Sequence, residues 1–362
     1  MHYFIFSSKD TYITTEFQKK NFGSDEILEL RKIFSGSFST SAEAASRILI
    51  QFDYSDISSS IVDEDITSPK FYLRLYEVEG QAELDKSYSI SAFPISQSWE
   101  EGVGKYYHDP KTKKGVTWID YDSGSAWSLA DSNSDSGSLG TGGGVWITGS
   151  GYQASQSFVN QSGDIEMDVT DIINNHLGGS SAISNYGFLL KFSGSAETDG
   201  TPQNLKFFSR NTHTIYAPKL EVRWDDSSFS VGDLTALTMS GEVNNHIFIK
   251  GLQPKYRESE KVRFRIGCRK KYTQKTFTES MLTSSFYIPE GSSSYSIVDV
   301  TTNTPKVPFS TYTSMSCDST SMYFDQWLNT FEPGRYYKML FKLKYDDGQE
   351  IIYDNDEEFK VI

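Results

Sequence analysis

The sequence predicts an all-β protein of two β-sandwich domains: a jelly-roll-like N-terminal domain at 1–226 with one short helix, and an immunoglobulin-like C-terminal domain at 227–362. Two observations carry the prediction. Apolar and aromatic residues recur at every second position in short runs, the pattern of half-buried strands. Clusters of Ser, Gly and Asp separate the runs and supply the turns of antiparallel pairs. A length of 362 residues suits about two domains.

Composition sets the outer bounds. With 37% hydrophobic and 14% aromatic residues, the chain is too apolar for disorder. No run approaches the roughly 18 uninterrupted apolar residues of a helical span. A net charge of -14 opposes non-specific nucleic-acid binding, which needs a basic surface to displace counterions. The opening residues Met1–Asp10 hold neither a basic stretch nor a long apolar one. No secretory signal is therefore expected, and the protein is expected to stay in the cytoplasm where it is made.

The elements follow in order. Arg47–Phe52 puts Ile48, Ile50 and Phe52 on one face, and Phe71–Tyr76 does the same with Phe71, Leu73 and Leu75. Asp168–Leu177 instead spaces Val169, Ile172, Ile173 and Leu177 along one side of a helix. Asp168 or Thr170 caps it, and Gly178-Gly179 ends it. Phe188–Phe192 and Leu220–Trp224 return to alternation. The pattern breaks at Trp224–Ser228, which sets the domain boundary. Charge changes there too: residues 1–225 hold 18 Lys+Arg against 30 Asp+Glu, and residues 226–362 hold 16 against 18. Beyond it, Lys261–Cys268 buries Val262, Phe264, Ile266 and Cys268. Tyr337–Tyr345 alternates likewise, and Asp347-Gly348 turns it back into Ile351–Tyr353. Between Ser123 and Gly163 lies a Ser/Gly-rich insertion containing Gly142–Gly144. No Lys-Ser/Thr pair follows it, so it does not read as a phosphate loop.

The sequence offers no catalytic constellation. His2, His108, His176, His213 and His246 stand at no metal-ligand spacing, and there is no Cys-x-x-Cys. Cys268 and Cys317 are too few for a disulfide framework. Glu100 and Glu101 cannot flank one glycosidic bond, because neighbours on a strand point to opposite faces. No enzyme and no cofactor are expected. The loop carboxylates Asp63–Asp65, Asp131 and Asp135 could hold a structural calcium; the alternative is a solvated acidic loop.

Residues 3–225 carry short motifs in a definite order. Asp10–Ile13, the turn Asn21-Phe22-Gly23, Arg47–Asp53 and Leu73-Arg74-Leu75-Tyr76 come first. Trp99–Glu101, Val116–Trp118, Asp168–Thr170, Gly187-Phe188 and Pro218–Val222 follow. In this order they resemble the DNRLRE-type domain, a β-sandwich related to carbohydrate-binding modules. Many such relatives are secreted and joined to lyases. An acidic pair of sandwiches of this build is similar to structural proteins of tailed-bacteriophage particles. The resemblance implies a non-enzymatic virion component of tail, baseplate or neck, assembled in the host cytoplasm. Its partners would be other virion proteins and copies of itself, with no nucleic acid and no membrane. The alternative is an adhesin or carbohydrate-binding module that takes a cell-surface glycan.

The candidate contact residues are aromatic and basic. Tyr106, Tyr107, Trp127 and Trp146 fall in or beside the long middle region, where exposed rings stack on sugars or anchor protein interfaces. For Trp146, as for Trp118, a place in the core is the alternative. Arg263 and Arg265 share the outer face of a strand within the basic stretch Lys250–Lys275. They are expected to meet an acidic partner, such as the acidic hairpin Asp346–Glu358 of another copy, unless they pair within their own domain.

Overall fold

The computed structural model describes residues 1–33, 44–62, 66–79, 87–108, 111–128, 141–159, 162–178, 182–197, 202–240, 245–272 and 285–362. The fold is all-β and sandwich-like, with short helical pieces. The chain divides into two compact units. The first is Ile5–Asp65 with Lys70–Val222; the second is Arg223–Ile362 with Met1–Phe4 and Ile66–Pro69.

In the first unit the strands are ordered Ala154–Val159, Ser87–Pro94, Phe188–Phe192, Ala44–Phe52, His2–Thr14, Lys219–Arg223, Lys70–Leu75 and Ile165–Asp168. The strand His2–Thr14 lies between Ala44–Phe52 and Lys219–Arg223, and a bulge between Ser7 and Lys9 breaks its register against the former. Beyond the bulge, Lys9–Thr14 pairs with Ser46–Gln51. At the bulge, Ser7 N donates to Pro218 O. A further pair, Gln203–Phe208 with Ile27–Ile33, joins the start of Ala44–Phe52.

Lys70–Leu75 alternates as its sequence implies, with Phe71, Leu73 and Leu75 inside. Ala44–Phe52 differs: it is buried on both faces rather than one. Ile48, Ile50 and Phe52 make the expected apolar face. Ala45 and Leu49 point the other way, into a second core with Trp99, Val116, Trp118 and Val145. Most of that second layer comes from 95–146, whose described residues include the short strands Asp120–Asp122 and Ser125–Ala126, and local alternation carries no sign of it.

The expected helix forms at Thr170–Leu177, with Ile172 and Ile173 buried. Its N-cap is Val169, with no side-chain cap bond, rather than the expected Asp168 or Thr170; Asp168 Oδ1 instead accepts from Thr170 N at 2.9 Å. A second helix, Ser55–Val62, is not visible in the sequence pattern. Its serines compete for backbone bonds and depress helix propensity. Asp53 Oδ1 nevertheless accepts from Ser55 N at 3.0 Å, and Ile57 anchors the helix in the core.

The second unit stacks two sheets. One is ordered Asn245–Lys250, Lys261–Lys270, Met322–Trp327, Ser316–Cys317. The other is ordered Lys255–Tyr256, Glu350–Val361, Tyr336–Lys344, Ser293–Asp299, Pro305–Val307. Tyr295 of one stacks on Phe324 of the other at 3.8 Å, inside a single apolar cluster. The expected hairpin is present: Tyr336–Lys344 pairs with Glu350–Val361, and Gly348 takes a φ of 84° at its turn. Cys268 and Cys317 are both free and buried. Burial pushes their thiols up to about 12 and about 11, which makes them poor nucleophiles.

Candidate functional site

The loop that carries Tyr106 and Tyr107 is fixed by one buried asparagine. Asn21 Nδ2 donates to Glu101 O and to Val116 O, both at 2.7 Å. Its Oδ1 accepts from Gly23 N at 3.1 Å and Gly104 N at 2.7 Å. Its backbone N donates to Thr112 O at 2.8 Å. Three stretches of chain are thus tied at one point. The approach is so close that a Cβ at Gly104 would stand 2.0 Å from Asn21 O, and one at Gly23 2.1 Å from Glu101 O. The motif Asn21-Phe22-Gly23 is therefore a scaffold for the tyrosine loop.

Beside that loop lies a cleft of about 580 Å3. One wall is the loop itself, with Tyr106 half exposed and Tyr107 74% exposed. The other wall is the outer face of the pair Ile27–Ile33 and Gln203–Phe208. Alternation buries Leu28 and Leu30 and turns Glu29 and Arg31 outward. Register then sets Lys206 opposite Glu29 and Asn204 opposite Arg31.

Most of the cleft's charges are held in place. Both Asp25 oxygens accept from Tyr106 N, at 3.0 and 3.2 Å, and the Tyr12 hydroxyl donates to Oδ2 at 3.4 Å. Burial raises the Asp25 carboxyl above its ordinary range, and the Tyr106 bond works against that rise. Arg31 pairs with Glu29 at 3.3 Å and with Glu16. Asn204 Oδ1 is buried and has no hydrogen-bond partner among the described residues. Lys20 sits over the Tyr106 ring at 5.1 Å and gives its ammonium to Tyr106 O, while Phe17 meets the same ring edge-on at 5.9 Å. Rings and polar groups converge on this cleft. Sequence reasoning found Tyr106 and Tyr107 but missed Asp25, Glu29, Arg31 and Asn204. Strand pairing between residues far apart in sequence sets Glu29, Arg31 and Asn204 together, and the Tyr106 N–H ties Asp25 to the loop.

Trp127 and Trp146 require correction. They are 4% and 5% exposed and belong to the second core, so they are not free contact residues. Trp127 Nε1 donates to Thr117 O at 3.2 Å. Trp146 lies 4.9 Å from the Arg47 guanidinium, which Trp118 flanks from 5.0 Å. Arg47 is fully buried and forks onto Glu197 at 2.6 and 3.0 Å, and Lys191 reaches the same carboxylate at 2.6 Å. Burial works to raise the Glu197 pKa, but the two cations outweigh it and hold the carboxyl below its ordinary value. Arg47 Nη1 also donates to Gly143 O at 2.8 Å, and a Cβ at Gly143 would stand 2.5 Å from that nitrogen. The glycine run thus lets backbone close over a buried arginine.

Arg263 and Arg265 are exposed in part but paired within their own sheet. Arg263 forks onto Asp325 at 2.8 and 2.9 Å and stacks on Tyr323 at 4.1 Å. Arg265 forks onto Asp318 at 2.9 and 3.1 Å. Two carboxylates of the acidic hairpin are likewise answered locally: Asp354 by Lys338 at 2.7 Å and Glu350 by Lys342 at 3.1 Å. A free basic rim does not exist at these two arginines.

Asp63–Asp65, Asp131 and Asp135 lie outside the described residues, as does 129–140 of the Ser/Gly-rich insertion. Among the described residues, no three His, Cys, Asp or Glu side chains converge as metal ligands. No helix among them is long and apolar enough to cross a membrane. No protein-family model matches the chain, and no curated protein matches it.

Proposed function

We propose that the protein is a non-enzymatic binding module whose first unit holds a saccharide in the cleft beside Tyr106 and Tyr107. The single observation that carries this reading is the convergence there of two exposed tyrosines with outward-facing Glu29, Arg31, Asn204 and Lys206. Sugars ask for this combination: flat apolar faces against rings, and hydroxyls against paired donors and acceptors. The carboxylates are poorly placed as an acid–base pair. Asp25 has both oxygens on Tyr106 N, and Glu29 is tied to Arg31. This occupation supports binding without turnover.

The saccharide reading is preferred to one of protein interfaces alone. Of the side chains expected to anchor an interface, Trp127 and Trp146 are core, and Arg263 and Arg265 are internally paired. The sequence resemblance to a DNRLRE-type sandwich and to tailed-phage structural proteins adds a setting to the proposal. A tail or baseplate component with such a cleft would touch glycans on the host surface. A glycan array tests the reading. Wild-type protein should give discrete saccharide hits that Tyr106→Ala and Tyr107→Ala abolish. No hits, or hits that survive both changes, would overturn it.

A further inference from the structure

We infer that the outer face of one sheet in the second unit is a docking surface for single-stranded nucleic acid, held by three uncommitted cations and the ring of Phe248. The inference is independent of the saccharide reading. Strand Lys261–Lys270 turns Val262, Phe264, Ile266 and Cys268 to the core, so the residues between them face out. Those are Lys261, Arg263, Arg265, Gly267 and Arg269, a stripe of four cations about 27 Å long. Register places Lys250 and Phe248 on one side of the stripe, opposite Arg265 and Gly267. It places Tyr323 and Trp327 on the other side, opposite Arg265 and Lys261.

Two carboxylates meet these five cations among the described residues, and both are occupied: Asp325 by Arg263 and Asp318 by Arg265. Glu260, next to Lys261 in the chain, accepts from Arg257 N at 3.2 Å. Glu357 accepts from Ile249 N at the sheet's edge, at 3.1 and 3.3 Å. Lys250, Lys261 and Arg269 make no ion pair among the described residues; Lys261 lies 5.5 Å from the Trp327 ring, and Arg269 reaches only Lys270 O at 3.4 Å. The face therefore keeps a positive surplus on a chain whose net charge is -14. At physiological salt, distant acids are screened within about 8 Å, whereas cations in contact with a phosphate are not. Charge alone would suit any acidic polymer; the rings choose among them. A Cβ at Gly267 would stand 2.3, 2.5 and 2.8 Å from three atoms of the Phe248 ring. The ring thus lies over the glycine, with its opposite face turned away from the sheet. His246 runs nearly parallel to it at 5.5 Å. Unpaired bases stack on such rings while their phosphates meet cations alongside; duplex bases are already stacked, and an acidic peptide offers no flat group.

Fluorescence anisotropy of the full chain with a labelled oligothymidylate of about ten nucleotides tests this. The oligonucleotide should bind, and the slope of log affinity against log salt should be about -2, as three phosphate contacts on a single strand require. Phe248→Ala should weaken binding at least about fivefold, and Phe248→Tyr should restore it. The triple variant Lys250→Gln, Lys261→Gln, Arg269→Gln should abolish binding and keep the melting temperature. Tyr107→Ala should leave it unchanged, which separates this face from the saccharide cleft. No binding, or binding that survives the triple variant, would overturn the inference. So would a polyglutamate peptide or a duplex of equal length that binds as tightly as the single strand.

Discussion

Two sets of aromatic residues share the segment 95–146 and have opposite fates. Trp99, Trp118, Trp127 and Trp146 are buried in the second core, whereas Tyr106 and Tyr107 stand in water on the cleft wall. The tryptophans cover a strand that already has a full apolar face on its other side. Trp99 and Trp127 also satisfy their N–H groups on Tyr186 O and Thr117 O. The tyrosines lie on a loop pinned by Asn21 and stay exposed among the described residues. Aromatic content in a loop therefore says little about contact function until the layer it belongs to is known.

The comparison breaks most visibly at the charge sealed beneath the tryptophans. Glu197→Gln should cost about 4 kcal/mol, because it leaves Arg47 and Lys191 buried without their counter-charge. Urea denaturation at neutral pH measures it, and a loss under about 1 kcal/mol would mean the triad is hydrated. Trp127→Ala should cost about 3 kcal/mol through lost burial and the cavity left behind. An unchanged melting curve would return Trp127 to the surface.

Acid sharpens the contrast, since two buried groups in the first unit answer to pH in opposite senses. Burial lowers the His176 pKa from 6.5 to about 4. Unfolded chains thus bind a proton that folded ones refuse, so stability falls as pH drops from about 6.5 to about 4, by roughly 3 kcal/mol. Burial raises Asp10 from 3.8 to about 7, which gives the opposite slope: its contribution is full in acid and fades as pH rises through about 7. Asp10→Asn should therefore stabilise the protein at pH 8 and steepen its acid loss, while His176→Gln should flatten that loss. Denaturation midpoints across this pH range read both, and parallel curves for all three proteins would contradict the assignment. The smallest stability effect belongs to Tyr107→Ala, expected within about 0.5 kcal/mol of wild type.

Much of the fold was legible. Alternation located Lys70–Leu75, Phe188–Phe192 and Lys261–Lys270, and Asp347-Gly348 marked its hairpin. These signals are local, so a single sequence carries them. The double burial of Ala44–Phe52 was not legible, because its second cover arrives mostly from a segment remote in sequence that does not show long alternating runs. Helix Ser55–Val62 was hidden by its serines. The site was half legible. Tyr106 and Tyr107 stood out as loop aromatics, but Glu29, Arg31 and Asn204 look like ordinary outward positions of strands until register sets them together. Arg263 and Arg265 misled for the same reason: Asp325 and Asp318, which neutralise them, are remote in sequence and adjacent in space.

Hydroxyl-radical footprinting of the aromatic side chains, with and without a bound saccharide, tests the central claim most directly. The account predicts that Tyr107 oxidises fastest in the free protein, that saccharide protects it together with Tyr106, and that Trp127 and Trp146 resist oxidation in both states. Oxidation of Trp127 or Trp146 at the rate of Tyr107, or saccharide protection that falls away from the Tyr106–Tyr107 loop, would contradict it.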